Sequence, residues 1–403
     1  DGQNYTIDGL YINRPQEAGI GLFGRVGNTT ICNLNLTNAD ITGRFYTGAL
    51  IGRVSGSEQS SVENCSTNGS VNGENSVGGL IGIIAGQTYI TDSHNEADIQ
   101  GVFDVGGLVG LNGNPLEIAT CYNTGNVNAT ASAESYAGGL IGENPSLATV
   151  SDSYNQGVVS GNGDYIGGLI GYHRKGQVEN CQNSGNVGDG DAGEYIGGLI
   201  GMNGTDYAPN SRAVTNCSSS GNVTGSSYVG GLIGYNNAHL ELGPISSCTT
   251  TGEVNASGDR CGGLIGLNVQ GYINDSHHTT GTVSGTNDVG GLVGIFHGEI
   301  YNSSSSGSVN GSGNNVGGFI GITIGNGISI VNNYSNSSVV GGSNVGGFIG
   351  ATSDGRPYVV TLKSSYCTGN VVGDDYVGGF IGLNRSVLSL SNSYSSGDVT
   401  RKS

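Results

Sequence analysis

The chain has 403 residues, of which 78 are glycine and only 6 proline; no Gly-X-Y period runs through it, which excludes collagen. Charged residues make up only 11 % while Val, Ile and Leu recur at regular intervals, which excludes a solvated disordered polymer. A formal net charge of −18 with 13 scattered Lys and Arg argues against nucleic acid as a partner, and no apolar run approaches the roughly 20 residues that span a bilayer.

The first segment, residues 1–24, begins "DGQNYTIDGLYI" with neither an initiator Met nor a signal peptide, and reads as an atypical first coil of a processed or excised product. From there one motif recurs. Its last glycine falls at Gly24, Gly52, Gly82, Gly110, Gly142, Gly171, Gly201, Gly234, Gly266, Gly294, Gly321, Gly350 and Gly382, thirteen copies spaced 27 to 33 residues apart. Each copy runs through an aliphatic residue, Asn or Asp, Cys or Ser, a polar turn, Val-x-Gly, a tip of variable length, and Val-Gly-Gly-Leu-Ile-Gly. "VENCQNSGNVGDGDAGEYIGGLIG" and "VTNCSSSGNVTGSSYVGGLIG" differ in length only at the tip, as stacked repeats with one surface loop do.

β-Branched residues sit in runs of three to six bounded by Gly, Asn and Ser, and no 3.6-residue period appears. The expected fold is therefore all-β: one continuous, elongated β-solenoid (β-helix) over 1–403. It has about thirteen coils of ~30 residues whose short parallel strands stack about 4.8 Å apart. Residues 383–403 form an incomplete last coil. In "YVGGLIGYN", residues 228–236, Val229 and Leu232 are three apart, so strict alternation puts them on opposite faces. Either Gly-Gly makes a corner, using glycine's access to positive φ and its tolerance of close backbone approach, or the segment is an interior strand covered on both sides.

The core "GLFG" at Gly21–Gly24 and "GGLVG" at Gly106–Gly110, with the lead-in "GQNYTIDGLYINRPQEAGIGLFG", resembles the GLUG-motif repeats of bacterial and archaeal surface proteins. Similar repeats occur in adhesins and beside the catalytic domain of metallo-type immunoglobulin A peptidases. The resemblance implies a β-solenoid at the cell surface and carries over no catalytic residue.

In-register stacking turns equivalent positions into columns. Cys65, Cys121, Cys181, Cys217 and Cys248 share a column with Ser93, Ser153, Ser303, Ser365 and Ser393. It is a structural ladder of small buried residues, or a place for inter-coil disulfides such as Cys217 with Cys248. Cys261 takes a core valine position. Cys32 and Cys367 fall off the column, as candidates for a special or intermolecular bridge. The preceding position holds Asn64, Asp92, Asp152, Asn180, Asn216, Asp275, Asn302, Asn332 and Asn392, expected to pair from coil to coil or to cap turns. A stripe containing Tyr165, Tyr195 and Tyr228 should point outward, either stacking between coils or offering apolar bodies with polar tips to a sugar or a protein. Asn64, Asn216, Asn222 and Asn310 lie in N-glycosylation sequons.

Catalysis has no motif to rest on. His94, His173, His239, His277, His278 and His297 form no HExxH, no G-x-S-x-G elbow occurs, and no cofactor is implied. The expectation is a non-enzymatic extracellular or cell-surface structural and adhesive protein, a rod or scaffold that polymerises head to tail into a filament or sheath. The alternative is a carbohydrate- or host-protein-binding adhesin region of a larger surface protein or secreted peptidase. Partners are then the chain itself, glycans or host surface proteins.

Overall fold

Runs of three to six apolar residues are too short to pair within one coil, and they acquire their hydrogen bonds from the same residues one repeat away. The computed structural model describes residues 1–188, 193–204, 212–237, 243–353 and 355–402, and every regular element among them is a β-strand. They form a β-solenoid of parallel, stacked coils, the fold class expected from the repeat. The chain divides into two compact units, residues 1–193 with 199–202 and residues 194–198 with 203–403.

In the first unit one coil runs through Val109–Asn112, Leu116–Ala119, Tyr122–Asn123, Val127–Ala129 and Tyr136–Gly138. Each piece lies parallel and in register on the next coil, with Val109 opposite Ile141, Ile118 opposite Val150, Tyr122 opposite Tyr154, Val127 opposite Val159 and Ala137 opposite Ile166. The inside is filled by columns. Leu80, Leu108, Leu140 and Leu169 form one, Ile90, Ile118, Val150 and Val178 another, all 0 % exposed. The atypical first segment joins the same scheme, Tyr5–Asp8 lying on Leu34–Thr37.

The second unit repeats the plan. Val229, Cys261, Val289, Val316 and Val345 are register partners in succession, as are Ile245, Ile273, Ile300, Ile330 and Leu362. Where the motif reads Gly-Gly-Phe, the rings of Phe319, Phe348 and Phe380 stack at 4.7 and 5.1 Å. Full burial of each such side chain contributes on the order of 1.5–3 kcal/mol, so every coil adds a similar increment as it stacks.

The Gly-Gly pair is a corner. The strand Ser227–Gly230 ends and Ile233–Asn236 begins in a different sheet, which leaves Val229 and Leu232 both fully buried. Its glycines, however, do not supply the positive φ. A Cβ on Gly230 would stand 2.0 Å from the Ile233 carbonyl oxygen, and one on Gly231 would stand 2.1 Å from the Gly263 oxygen of the next coil. Close approach is the constraint. The left-handed residue is instead Tyr228, at φ 54°, with Tyr46, Tyr195, Arg260 and Tyr376 at equivalent corners (φ 52–65°). A non-glycine residue there costs about 1–2 kcal/mol, which the packed column on either side offsets.

A second left-handed column is the Asn/Asp position: Asn64, Asp92, Asp152, Asn180, Asn216, Asp275, Asn302, Asn332 and Asn392 lie between φ 48° and 60°. Those residue types tolerate this conformation best after glycine, which explains the choice of Asn or Asp more directly than amide pairing does. Pairing is also present, from the Asn180 Nδ2 to Asp152 at 3.1 Å and from the Asn332 Nδ2 to Asn302 at 3.5 Å.

Two substitutions separate the constraints. Gly230→Ala should destabilise the second unit by about 3 kcal/mol or more, because backbone on both sides must move. Asn332→Gly should be near neutral in the same urea or thermal melts, whereas Asn332→Ala should cost ~1 kcal/mol. A tolerated alanine at position 230 would contradict the close-approach reading.

Candidate functional site

A left-handed residue precedes the Cys/Ser column, Asn64, Thr120 and Ser247 in three of the coils, and the N–H of the column residue points at the same column of the following coil, where a hydroxyl receives it. The Cys65 N–H donates to Ser93 Oγ (3.0 Å), Cys121 to Ser153 Oγ (3.1 Å) and Cys248 to Ser276 Oγ (3.3 Å). Ser93 and Ser153 then donate their hydroxyls to the carbonyl two residues back, at 2.8 and 2.7 Å. The thiols do the same more weakly. Cys121, Cys181, Cys217 and Cys248 direct Sγ at Ala119, Glu179, Thr215 and Ser246 oxygens, 3.1–3.3 Å away.

All five ladder cysteines are at most 2 % exposed, and among the described residues no disulfide forms. Burial pushes the Cys121 thiol up to about 12, so it stays protonated and unreactive. Cys261 occupies the valine column and is likewise pushed to about 12 by burial. Cys367 corrects an expectation: it is fully buried with Sγ 3.0 Å from the Gly379 oxygen, a position closed to an intermolecular bridge. Cys32 is half-buried.

A ladder that the sequence reading missed lies two residues beyond this column. Asn95 donates to Asn123, Asn123 to Asn155 and Asn155 to Asn183, each at 2.8 Å, and all four are at most 1 % exposed. Each amide also donates to the carbonyl two residues on, as Asn123 does to Gly125 at 2.7 Å. A Cβ on Gly79 would meet the Asn95 Oδ1 at 2.4 Å, so the second glycine of Gly-Gly makes room for this ladder. In the second unit the position passes to Thr250 and His278. The His278 ring is fully buried, its Nδ1 is 3.0 Å from Thr250 Oγ1, and its Nε2 has no partner among the described residues.

The three tyrosines of the candidate stripe are half-buried. Tyr165 stacks on Tyr136 at 4.9 Å with Tyr172 edge-on at 6.3 Å. Tyr195 stacks on Tyr228 at 4.7 Å, Tyr235 meets both rings edge-on, and the Arg260 guanidinium lies 4.6 Å from the Tyr228 centroid. Beside Tyr136, burial pushes Asp104 up to about 6 and Glu143 up to about 7. The second aromatic column stacks similarly, His94 on Tyr122 at 4.4 Å and Tyr122 on Tyr154 at 4.9 Å. Asn64, Asn216, Asn222 and Asn310 are all exposed. His239 lies outside the described residues, and among those described no three His, Cys, Asp or Glu gather as metal ligands.

His278 gives a pH dependence of definite sign. Burial lowers its pKa from 6.5 to about 4, so the unfolded chain binds the proton more readily and stability falls as pH drops through that window. The depression corresponds to ~3 kcal/mol. Asp104 and Glu143, shifted upward, contribute the opposite slope in wild type and variant alike and cancel in the difference. His278→Asn should therefore flatten the melting profile of the second unit between pH 6.5 and 4, and a profile parallel to wild type would contradict it.

A family model described as the GLUG motif matches residues 162–188. Over 94 residues, 23 % of the chain, the sequence is 37 % identical to Halomucin of Haloquadratum walsbyi, and the match spans 1 % of that relative's length. Among solved structures, a Bacteroides ovatus crystal structure provisionally named an immunoglobulin A1 protease aligns with 65 % of this chain and 78 % of its own, at 14 % identity and a TM-score of 0.35. The segment matched by the family model is one turn of a pattern that recurs, position for position and in register, through the coils of both units.

Proposed function

We propose that this chain is a non-enzymatic structural segment of an extracellular, cell-surface protein, a scaffold or spacer. The observation that carries the reading is the destination of its polar side chains. At the corners the Asn, Ser, Thr and Cys groups are committed to hydrogen bonds between coils, as the Asn95–Asn183 and Cys65–Ser93 contacts show, and this leaves them few atoms for chemistry. The similarity to Halomucin and the exposure of all four sequon asparagines support an outside location. Immunogold labelling of intact cells of the source organism with antibodies to the purified chain tests it: label on unbroken cells is expected, and label only after lysis would contradict the proposal.

The finer reading is head-to-tail association with a second copy. In the segment 381–401, Leu390 is 49 % and Val399 46 % exposed, although their register partners Leu362 and Val371 are fully buried. A further coil, of the same chain or of a second copy, would cover them, and the head-to-tail reading assigns the second copy. Sedimentation of the purified 403-residue chain should show mass rising with concentration, and Leu390→Lys should abolish the rise. A constant monomer mass for the unmodified chain would contradict head-to-tail assembly.

A further inference from the structure

Along one corner of the second unit two columns run side by side. The residue after each motif's last glycine gives an apolar floor of Ile295, Ile322 and Ala351, at most 8 % exposed, continued by the half-buried Leu383. The left-handed column gives a polar wall. Asn315 donates its Nδ2 to Asp288 Oδ1 at 2.8 Å, and Asn344 donates to Asn315 Oδ1 at 2.9 Å. Among the described residues nothing donates to Asn344 Oδ1, and the next residue of the column, Tyr376, is 67 % exposed. Ile324, Ser353 and Arg385 close the opposite side, and the whole encloses a groove of about 560 Å³.

We propose that this groove binds an extended, neutral oligosaccharide lying along the stacking direction. Its lining carries one carboxyl, Asp288, and one guanidinium, Arg385, so a chain of net charge −18 presents here a locally balanced surface. Balance disfavours a polyanion or polycation and suits an uncharged ligand. The floor accepts the C–H faces of sugar rings, while the amides of Asn314, Asn315 and Asn344 and the hydroxyl of Ser343 supply directional partners for ring hydroxyls. A purely apolar occupant would leave those amides desolvated without partners. Because two successive coils each repeat one apolar and one amide position, Ile322 with Asn315 and Ala351 with Asn344, the matching ligand is itself built of repeating units. The inference stands apart from the scaffold reading, since binding is measured on the purified chain whatever its location.

The test is calorimetric titration of the whole chain with neutral hexasaccharides (β-1,4-glucan, β-1,4-linked N-acetylglucosamine and α-mannan), a sulfated hexasaccharide and an uncharged decapeptide. At least one neutral hexasaccharide should bind at micromolar to millimolar concentration. Asn344→Gly, which keeps the left-handed backbone accessible, and Ile324→Glu, which places a charge in the groove, should each weaken binding about tenfold or more, while Tyr334→Ser on the other aromatic column should not. Circular dichroism establishes that each variant folds. Absence of binding by every neutral hexasaccharide, binding only of the sulfated or peptide probe, or unaltered affinity in both groove variants would each overturn the proposal.

Discussion

Everything in this molecule depends on parallel main-chain pairing between residues one repeat apart, and on a corner tight enough to permit it. The pairing in a coil such as 109–138 has no partner inside its own repeat, so each coil is stable only on a neighbour. The corner sets how close neighbours come. At Gly106 a Cβ would lie 1.9 Å from the Val109 oxygen, and at Gly107 2.0 Å from the Gly139 oxygen, so this turn admits hydrogen in place of a side chain. The repeated Gly-Gly is thus a steric requirement whose conformational cost of about 0.5–1 kcal/mol is offset by the burial it allows.

Polar satisfaction follows from the same stacking. A backbone that turns through a left-handed residue such as Asn64 or Thr120 directs an N–H toward the next coil, and a Ser side chain there completes it. The buried Asn95–Asn183 ladder does the equivalent for the turn that follows, because an amide both donates to the next amide and to a local carbonyl. Substituting Thr250 and His278 at this position in the second unit breaks the chain of amides and leaves an imidazole whose charged form burial opposes. Fully satisfied networks of this kind fix register, since a slip of one residue would orphan every member at once.

Much of this was legible in the sequence. The period, the class of fold and the small-residue column at Cys121 and Ser153 all follow from residue types recurring at fixed offsets, whereas the corner at Val229–Leu232 is one of two readings that Gly-Gly leaves open. The positive φ at Tyr228 was not legible, because tyrosine ordinarily avoids that conformation and only the packed neighbours enforce it. Asn95, Asn123 and Asn155 recur as regularly as the cysteines, yet they are lost among many exposed asparagines of the same repeat; the signal was their constant position two residues after Cys or Ser. The groove was hidden for a further reason. Ile295, Ile322 and Ala351 read as the end of a core strand, and only the folded corner places them beside Asn315 and Asn344 along the groove.

The central claim is that equivalent residues of successive coils sit directly on one another. Asn310 and Val340 are exposed register partners in adjacent coils, and Val372 is the partner one coil further on. Nitroxide labels on Asn310→Cys with Val340→Cys should lie about 5 Å apart at the backbone and show strong spin-exchange broadening, while labels on Asn310→Cys with Val372→Cys, about 10 Å apart, should show far less. Equal broadening in the two pairs, or none in the first, would contradict the stacked, in-register coil.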